Sequence, residues 1–313
     1  MQHDYKAFPN QRNARQILAQ FPDQSEIIEH RGYDLLVPRF STAGAIRLMP
    51  NADAPRVSVP AAAESPVMHD IGTPWDIRKH NEARRPVTLG TLTRQEQRMF
   101  VAPVLPYASH VLDMPIKFPG QDEARVVGEL SSFVPTIQHL LDVDFQLNPL
   151  YRECYAYLSI HQGWVTPGER QRETPYHVDG FQGPRWKEKH PANHSYLVTD
   201  TLPTLFYPVA FPLDHIDPNF DDVYAEFERR VAAGVACWSA QDFEIVLMDC
   251  YCVHRGMLAS TANPVFRTWL RISFETRIFD RLGNAHNPLF DYAWPMVARD
   301  TDPRIRPRAL VAA

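Results

Sequence analysis

The clearest regularity in the chain is a period of two in its second half. "FRTWLRISFETRIF" and "DFEIVLMDCYCVHRGM" place apolar side chains densely enough, and with enough β-branched and aromatic residues, to predict two strands. From residue 151 the texture is β-favouring: "YRECYAYLSIHQGWV" is followed by "HSYLVTD" and "TLFYPVAF", with turn residues between them. Helical spacing occurs in only a few places. Thr93 and Glu96 have the S/T-x-x-E spacing of a capping box and predict a helix starting near Thr93. "DEARVVGELSSFVPTIQHLLDVDF" has apolar residues at helical intervals, with a kink expected at Pro135. "DPNFDDVYAEFERRVAAG" reads as one helix capped by Asp217, acidic in its first turn and ended by Gly234. Short strands, frequent turns and few helices predict an antiparallel sandwich or barrel over residues 150–280.

Composition sharpens this picture. The 28 prolines against 13 glycines in 313 residues predict a loop-rich protein with short strands, because proline fits poorly inside helices and central strands. Prolines punctuate residues 1–90, which are expected to wrap around a core rather than form one. The 44% of hydrophobic residues suffices for a sizeable core. A formal charge of −5 with both signs mixed argues against a nucleic-acid scaffold. "MQHDYKAFPNQRNARQ" has no apolar stretch of the kind a signal peptide needs, and no run approaches a membrane span. The four cysteines form no CxxC pair, so a cytoplasmic protein with reduced thiols is expected.

Three H-x-[DE] tripeptides occur, His80-Asn-Glu82, His177-Val-Asp179 and His215-Ile-Asp217, and with 13 histidines and 37 acids one or two are expected by chance. His80 lies in the charged "RKHNEARR", expected on a solvated surface, and His215 leads into a turn. His177 differs. If "PYHVDGF" is extended, His177 and Asp179 project from one face while Tyr176 and Val178 point the other way, and Gly180 permits a sharp exit turn. His254, at the end of the apolar "VLMDCYCVHRG", is the candidate third ligand. Two histidines and one carboxylate on a β scaffold form the facial triad of non-haem Fe(II) oxygenases. The bland alternative is a hydrogen-bonded loop pair with a rim histidine. Met248, Cys250 and Cys252 are read as apolar lining on His254's face, since thiolates would favour other metals.

Downstream of His254 runs "ASTANPVFRTWLRISFETR". With it the chain resembles the 2-oxoglutarate and Fe(II)-dependent oxygenase superfamily, in the order H-x-D, strands, distal histidine, arginine, with D-x-x-x-x-H-R-G ahead of the arginine strand. The resemblance covers roughly residues 150–280. It implies a mainly β fold with flanking helices, built on a double-stranded β-helix (jelly-roll, cupin-like) core. The expected regions are 1–150, Pro-rich and helical, packing on the core; 151–280, the catalytic core; and 281–313, a C-terminal extension. It implies that His177, Asp179 and His254 hold Fe(II), and that an arginine takes the far carboxylate of 2-oxoglutarate through its planar fork. Arg267, 13 positions past His254, has the commoner spacing; Arg271, 17 past it, sits in an Arg-x-Ser element with Ser273. Tyr157, with Ser159 and His161 on the same face of its strand, is placed within reach of the cosubstrate or substrate.

The activity so implied is oxidation, most simply hydroxylation, of a small molecule with O2, releasing succinate and CO2; Asp179 in the carboxylate position speaks against halogenation. Arg185, Trp186, Lys187 and Lys189 are candidates for contact with an anionic substrate, against a solvated loop. The competing classes are a cupin-like metal-dependent dioxygenase or isomerase without 2-oxoglutarate, a non-catalytic jelly-roll binding protein, and a zinc hydrolase, which leaves the downstream arginines unexplained.

Overall fold

The β-favouring runs become strands that leave one sheet and enter another in turn. The structure, a computed structural model, describes residues 14–30, 33–55, 65–172, 176–179, 191–217 and 221–298. In chain order the regular elements begin with α1 (Ala14–Gln20), β1 (Ser25–His30), β2 (Tyr33–Pro38), β3 (Ile46–Leu48), α2 (Pro66–His69), β4 (Val87–Thr91) and α3 (Arg94–Phe100). They continue with β5 (His110–Lys117), β6 (Ala124–Val126), α4 (Val134–Leu147), β7 (Tyr155–Val165), β8 (His194–Thr199) and β9 (Leu205–Phe206). The last are α5 (Val223–Ala232), β10 (Glu244–Asp249), β11 (His254–Arg255) and β12 (Val265–Glu275).

The major sheet has the order β4-β10-β8-β12-β7-β5, with every pairing antiparallel. Facing it is a minor sheet of short pieces, in which Trp238 bridges Phe206 of β9, β9 pairs β11, and His254 of β11 bridges His177. From β7 onward the chain visits the two sheets in the order major, minor, major, minor, minor, major, minor, major. This interleaving of two antiparallel sheets is the double-stranded β-helix, or jelly roll. Two edge strands of the major sheet, β4 and β5, come from before residue 151.

Strand alternation sorts the side chains. Even-numbered residues of β7 and β12, such as Leu158, Ile160, Leu270 and Ile272, enter a large apolar core that also takes in Phe100, Phe133, Ile137, Leu140 and Leu141 of the N-terminal helical region. The outer face of the minor sheet, with Val178, Tyr207 and Val253, packs on Trp75, Tyr251 and Phe227 of α5. The space between the sheets receives the odd-numbered residues of β7 and β12, many of them polar.

Several local expectations hold. Thr93 and Glu96 form the capping box at the start of α3, and Gly234, at φ 87°, follows the end of α5. Others are corrected. The cap of α5 is Asp222, whose carboxylate accepts from the Tyr224 and Ala225 amides, and Asp217 lies outside the helix. Pro135 sits in the first turn of α4, where a missing N–H costs nothing, and the bend precedes it as a 3-10 segment, Gly128–Phe133. "VLMDCYCVHRG" is two strands: Asp249 accepts from the Tyr251 amide and turns the chain, so Met248 and His254 belong to different sheets. His80 is buried, edge-on to Tyr251 at 5.1 Å, rather than solvated. Among the described residues, no helix is long and apolar enough to cross a membrane.

Candidate metal centre

His177 and His254 are neighbours because their backbones pair. The His177 amide donates to the His254 carbonyl at 3.1 Å and the His254 amide returns the bond at 2.9 Å, and this sets the rings 4.3 Å apart. Val178 turns into the outer core, so Asp179 faces inward on the same side as His177. One ligand atom from each of His177, Asp179 and His254 lies within 4.8 Å of the other two, and among the described residues this is the only His/Cys/Asp/Glu group that could hold a metal ion. The His254 ring is fixed by its own Nδ1, which donates to the Cys252 carbonyl at 2.9 Å. A carbonyl only accepts, so the neutral ring carries its proton on Nδ1 and presents the Nε2 lone pair to Asp179 Oδ1, 4.0 Å away. Burial lowers the pKa of His254, against the opposing pull of Asp179.

The two oxygens of Asp179 have different partners. Oδ1 faces His254, while Oδ2 accepts from Arg271 Nη1 at 2.5 Å. Burial would raise the Asp179 pKa, but Arg271, then His254 and His177, outweigh it and hold the carboxyl well below the usual carboxylate range. The other end of the Arg271 fork, Nη2, donates to Asp113 Oδ1 at 2.8 Å, and the Ser159 hydroxyl donates to the same oxygen at 3.0 Å. Asp113 has no counterpart among the residues singled out from sequence. The available signal was one acid inside the apolar "HVLDMPIK", a pattern that requires a buried partner.

Arg267 lies on the same face of β12, deep in the protein, and among the described residues it donates to no carboxylate, although Asp200 is near enough to oppose the effect of its burial. Its Nε donates to the carbonyls of Thr201 and Leu202, at 3.1 and 3.0 Å, and its Nη1 to Gln171 Oε1, all neutral acceptors. Burial accordingly lowers its pKa to about 10. Ser273 shares a hydrogen bond of 2.9 Å with Ser195 across β8. Tyr157 is tied to the C-terminal segment: its hydroxyl donates to the Arg277 carbonyl at 3.0 Å, and its ring stacks on Phe279. His161 is buried between Trp269 and His110, its pKa lowered by burial and by cationic neighbours. Cys250 and Cys252 are buried, and burial raises both thiols well above their ordinary pKa. Gly180, Arg185, Trp186, Lys187 and Lys189 lie outside the described residues.

No family model matches the chain, and no curated protein matches it in sequence. Solved structures do show similarity of fold. EvdMO1 matches with a TM-score of 0.38 at 12% identity, over 75% of this chain and 64% of its own, so the chain spans just under two thirds of its length. EvdO2 from Micromonospora carbonacea var. aurantiaca, complexed with 2-oxoglutarate, matches with a TM-score of 0.33 at 14% identity, over 71% of this chain and 99% of its own. EctD from S. alaskensis with bound Fe matches with a TM-score of 0.36 at 15% identity, over 81% of this chain and 95% of its own. Likeness this distant assigns no reaction, metal or substrate.

Proposed function

We propose that the chain is a non-haem Fe(II), 2-oxoglutarate-dependent oxygenase that hydroxylates a small molecule, with succinate and CO2 as co-products. The observation that carries this reading is the convergence of His177, Asp179 and His254 on a jelly-roll scaffold. The donor set fits the ion: two imidazole nitrogens and one carboxylate oxygen, all from one side, with no thiolate among them. The orientation of His254 by Cys252 and of Asp179 by Arg271 is the outer-shell support that metal ligands use. Bound there, Fe(II) with 2-oxoglutarate and O2 supplies the oxidising chemistry for placing oxygen on a C–H bond.

The chain's own residues bind and orient. His177, Asp179 and His254 would hold Fe(II), leaving to cosubstrate and O2 the positions that the protein does not fill. Arg267 is the proposed partner of the far carboxylate of 2-oxoglutarate. A buried guanidinium whose hydrogen-bond acceptors among the described residues are all neutral, and whose burial outweighs the pull of Asp200, is a costly arrangement that an anion relieves. Arg271 already serves two carboxylates, which leaves it the weaker candidate.

The test is turnover of 2-oxoglutarate over a metabolite panel, watching for substrate-stimulated succinate. A protein that binds Fe(II) through this triad but takes up no 2-oxoglutarate would instead be a cupin-like metal enzyme. A protein that binds no divalent metal would be a non-catalytic jelly roll.

A further inference from the structure

Three adjacent strands present one polar row toward Asp179. Arg271 of β12 pairs in register with Ser159 of β7. Next to Ser159, β5 is irregular between Val111 and Met114, and within that irregularity Asp113 adopts φ 45°. Residues other than glycine seldom adopt that conformation, and departures of this kind cluster where a side chain must be aimed. Here the bulge brings the Asp113 amide to 3.0 Å from Ser159 Oγ and Oδ1 within hydrogen-bond distance of both the Ser159 hydroxyl and Arg271 Nη2. Ser159 thus holds Asp113 by both its amide and its carboxylate, independently of the arginine.

We infer that Asp113 is a positioning residue for the metal centre, acting through Arg271 on Asp179. An arginine with one carboxylate partner can rotate around it. Fixed at Nη2 by Asp113, the guanidinium is left one direction for Nη1, and that direction is Asp179 Oδ2. Holding Oδ2 keeps Asp179 from closing on a metal with both oxygens and leaves Oδ1 as the single ligand atom. The strained turn at Asp113 is the structural cost of this alignment. The inference rests on the proposed reading of His177, Asp179 and His254 as metal ligands.

The test uses Co(II) as probe, titrated anaerobically into the full chain and followed by its visible absorption, together with thermal unfolding of each metal-free variant. His177→Ala marks the site and should abolish the spectrum. Asp113→Gly removes the carboxylate while suiting the backbone, since glycine accepts positive φ, so the relief of strain partly offsets the lost ion pair with Arg271, and thermal unfolding reads what stability remains. Losing an outer-shell partner should weaken Co(II) by about 10–100-fold and change the band shape. Asp113→Asn also tolerates this backbone conformation and keeps an oxygen for Ser159 and Arg271, so it should stay within roughly threefold of the parent. Equal losses in Asp113→Gly and Asp113→Asn would mean that only the charge matters, and would overturn the positioning role. Normal binding by Asp113→Gly, with His177→Ala inactive, would overturn the inference and leave the proposed function standing. Failure of the parent chain to bind Co(II) would remove both.

Discussion

Replacement of Arg267 by alanine tests the proposed anion site most directly. Arg267 offers five N–H donors. Among the described residues Nε is shared between two carbonyls and one Nη1 hydrogen goes to Gln171, which leaves three for an incoming carboxylate. Removing one partner of a buried, charge-assisted pair costs about 2–5 kcal/mol. Taking about 3 kcal/mol, at ~1.4 kcal/mol per decade, the dissociation constant for 2-oxoglutarate should rise by roughly 100–200-fold. The folded chain also loses the donor to the Thr201 and Leu202 carbonyls, so some stability is lost as well, of order 1–3 kcal/mol if neither carbonyl finds water. Arg267→Lys separates the two effects: it keeps the charge but not the fork, and should recover part of the affinity. The assay is anaerobic titration of 2-oxoglutarate against the Fe(II) chromophore, with Fe(II) affinity measured in parallel. Arg267→Ala should keep its iron, whereas Arg271→Ala should lose iron affinity because Asp179 Oδ2 is released. If Arg267→Ala binds 2-oxoglutarate like the parent, the buried cation is not the anion's partner, and the inference from its neutral surroundings fails.

Three further outcomes are expected. His177→Ala, Asp179→Ala and His254→Ala should each abolish turnover and weaken Fe(II), while Asp179→Gly should keep some iron, lose hydroxylation and open a position that chloride can occupy; metal analysis and product assay check both, and unchanged hydroxylation in Asp179→Gly would remove it from the ligand set. Lys117 is buried with its ammonium on the carbonyls of Tyr151 and Cys154, and burial lowers its pKa from 10.5 to about 8. Between those values the unfolded chain holds a proton that the folded one has shed, so unfolding free energy should rise with pH from about 8 to about 10.5, by at most ~3 kcal/mol. Denaturant titrations of the parent and Lys117→Met at both ends of that window read the difference, and the variant should lack the rise. His80 behaves in the same sense at acid pH. Burial, then Arg84, brings its pKa from 6.5 to about 3, so the unfolded chain takes up the proton first and stability should fall as pH drops through that range. His80→Phe should remove that component of the slope, and an unchanged acid profile would contradict the burial of the ring.

The sequence made the central strands legible because their two faces differ chemically. β7 runs from Tyr155 to Val165, within the segment read as a strand, and β12 from Val265 to Glu275, starting one residue ahead of the segment read for it. The His177–Asp179 pairing was legible for the same reason: alternation puts His177 and Asp179 on one side and Val178 on the other. What escaped were features decided by tertiary contact. The turn at Asp249 contains no glycine or proline, so "VLMDCYCVHRG" reads as continuous until its carboxylate is seen to cap the Tyr251 amide. His80 sits among charges in sequence and between Tyr251 and Phe227 in space. Asp113 depends on a strand irregularity that no local pattern announces. Asp222 replaced Asp217 as a helix cap because several acids precede α5 and only geometry chooses among them.

The bridge between His177 and His254 also bears on the order of folding. The two imidazoles are brought together by pairing segments that are remote in the chain, after β8, β9, α5 and β10 have been threaded between them. Closing so long a loop carries an entropic penalty that later contacts must offset, so this pair belongs among the slow, late events. During synthesis the amino-terminal half of the centre waits, with one histidine and one acid, until β11 has left the ribosome. If His177, Asp179 and His254 hold a divalent ion as proposed, the ion would be captured only as the minor sheet zips shut, and a nascent chain stalled before residue 254 should bind it far more weakly than the full chain.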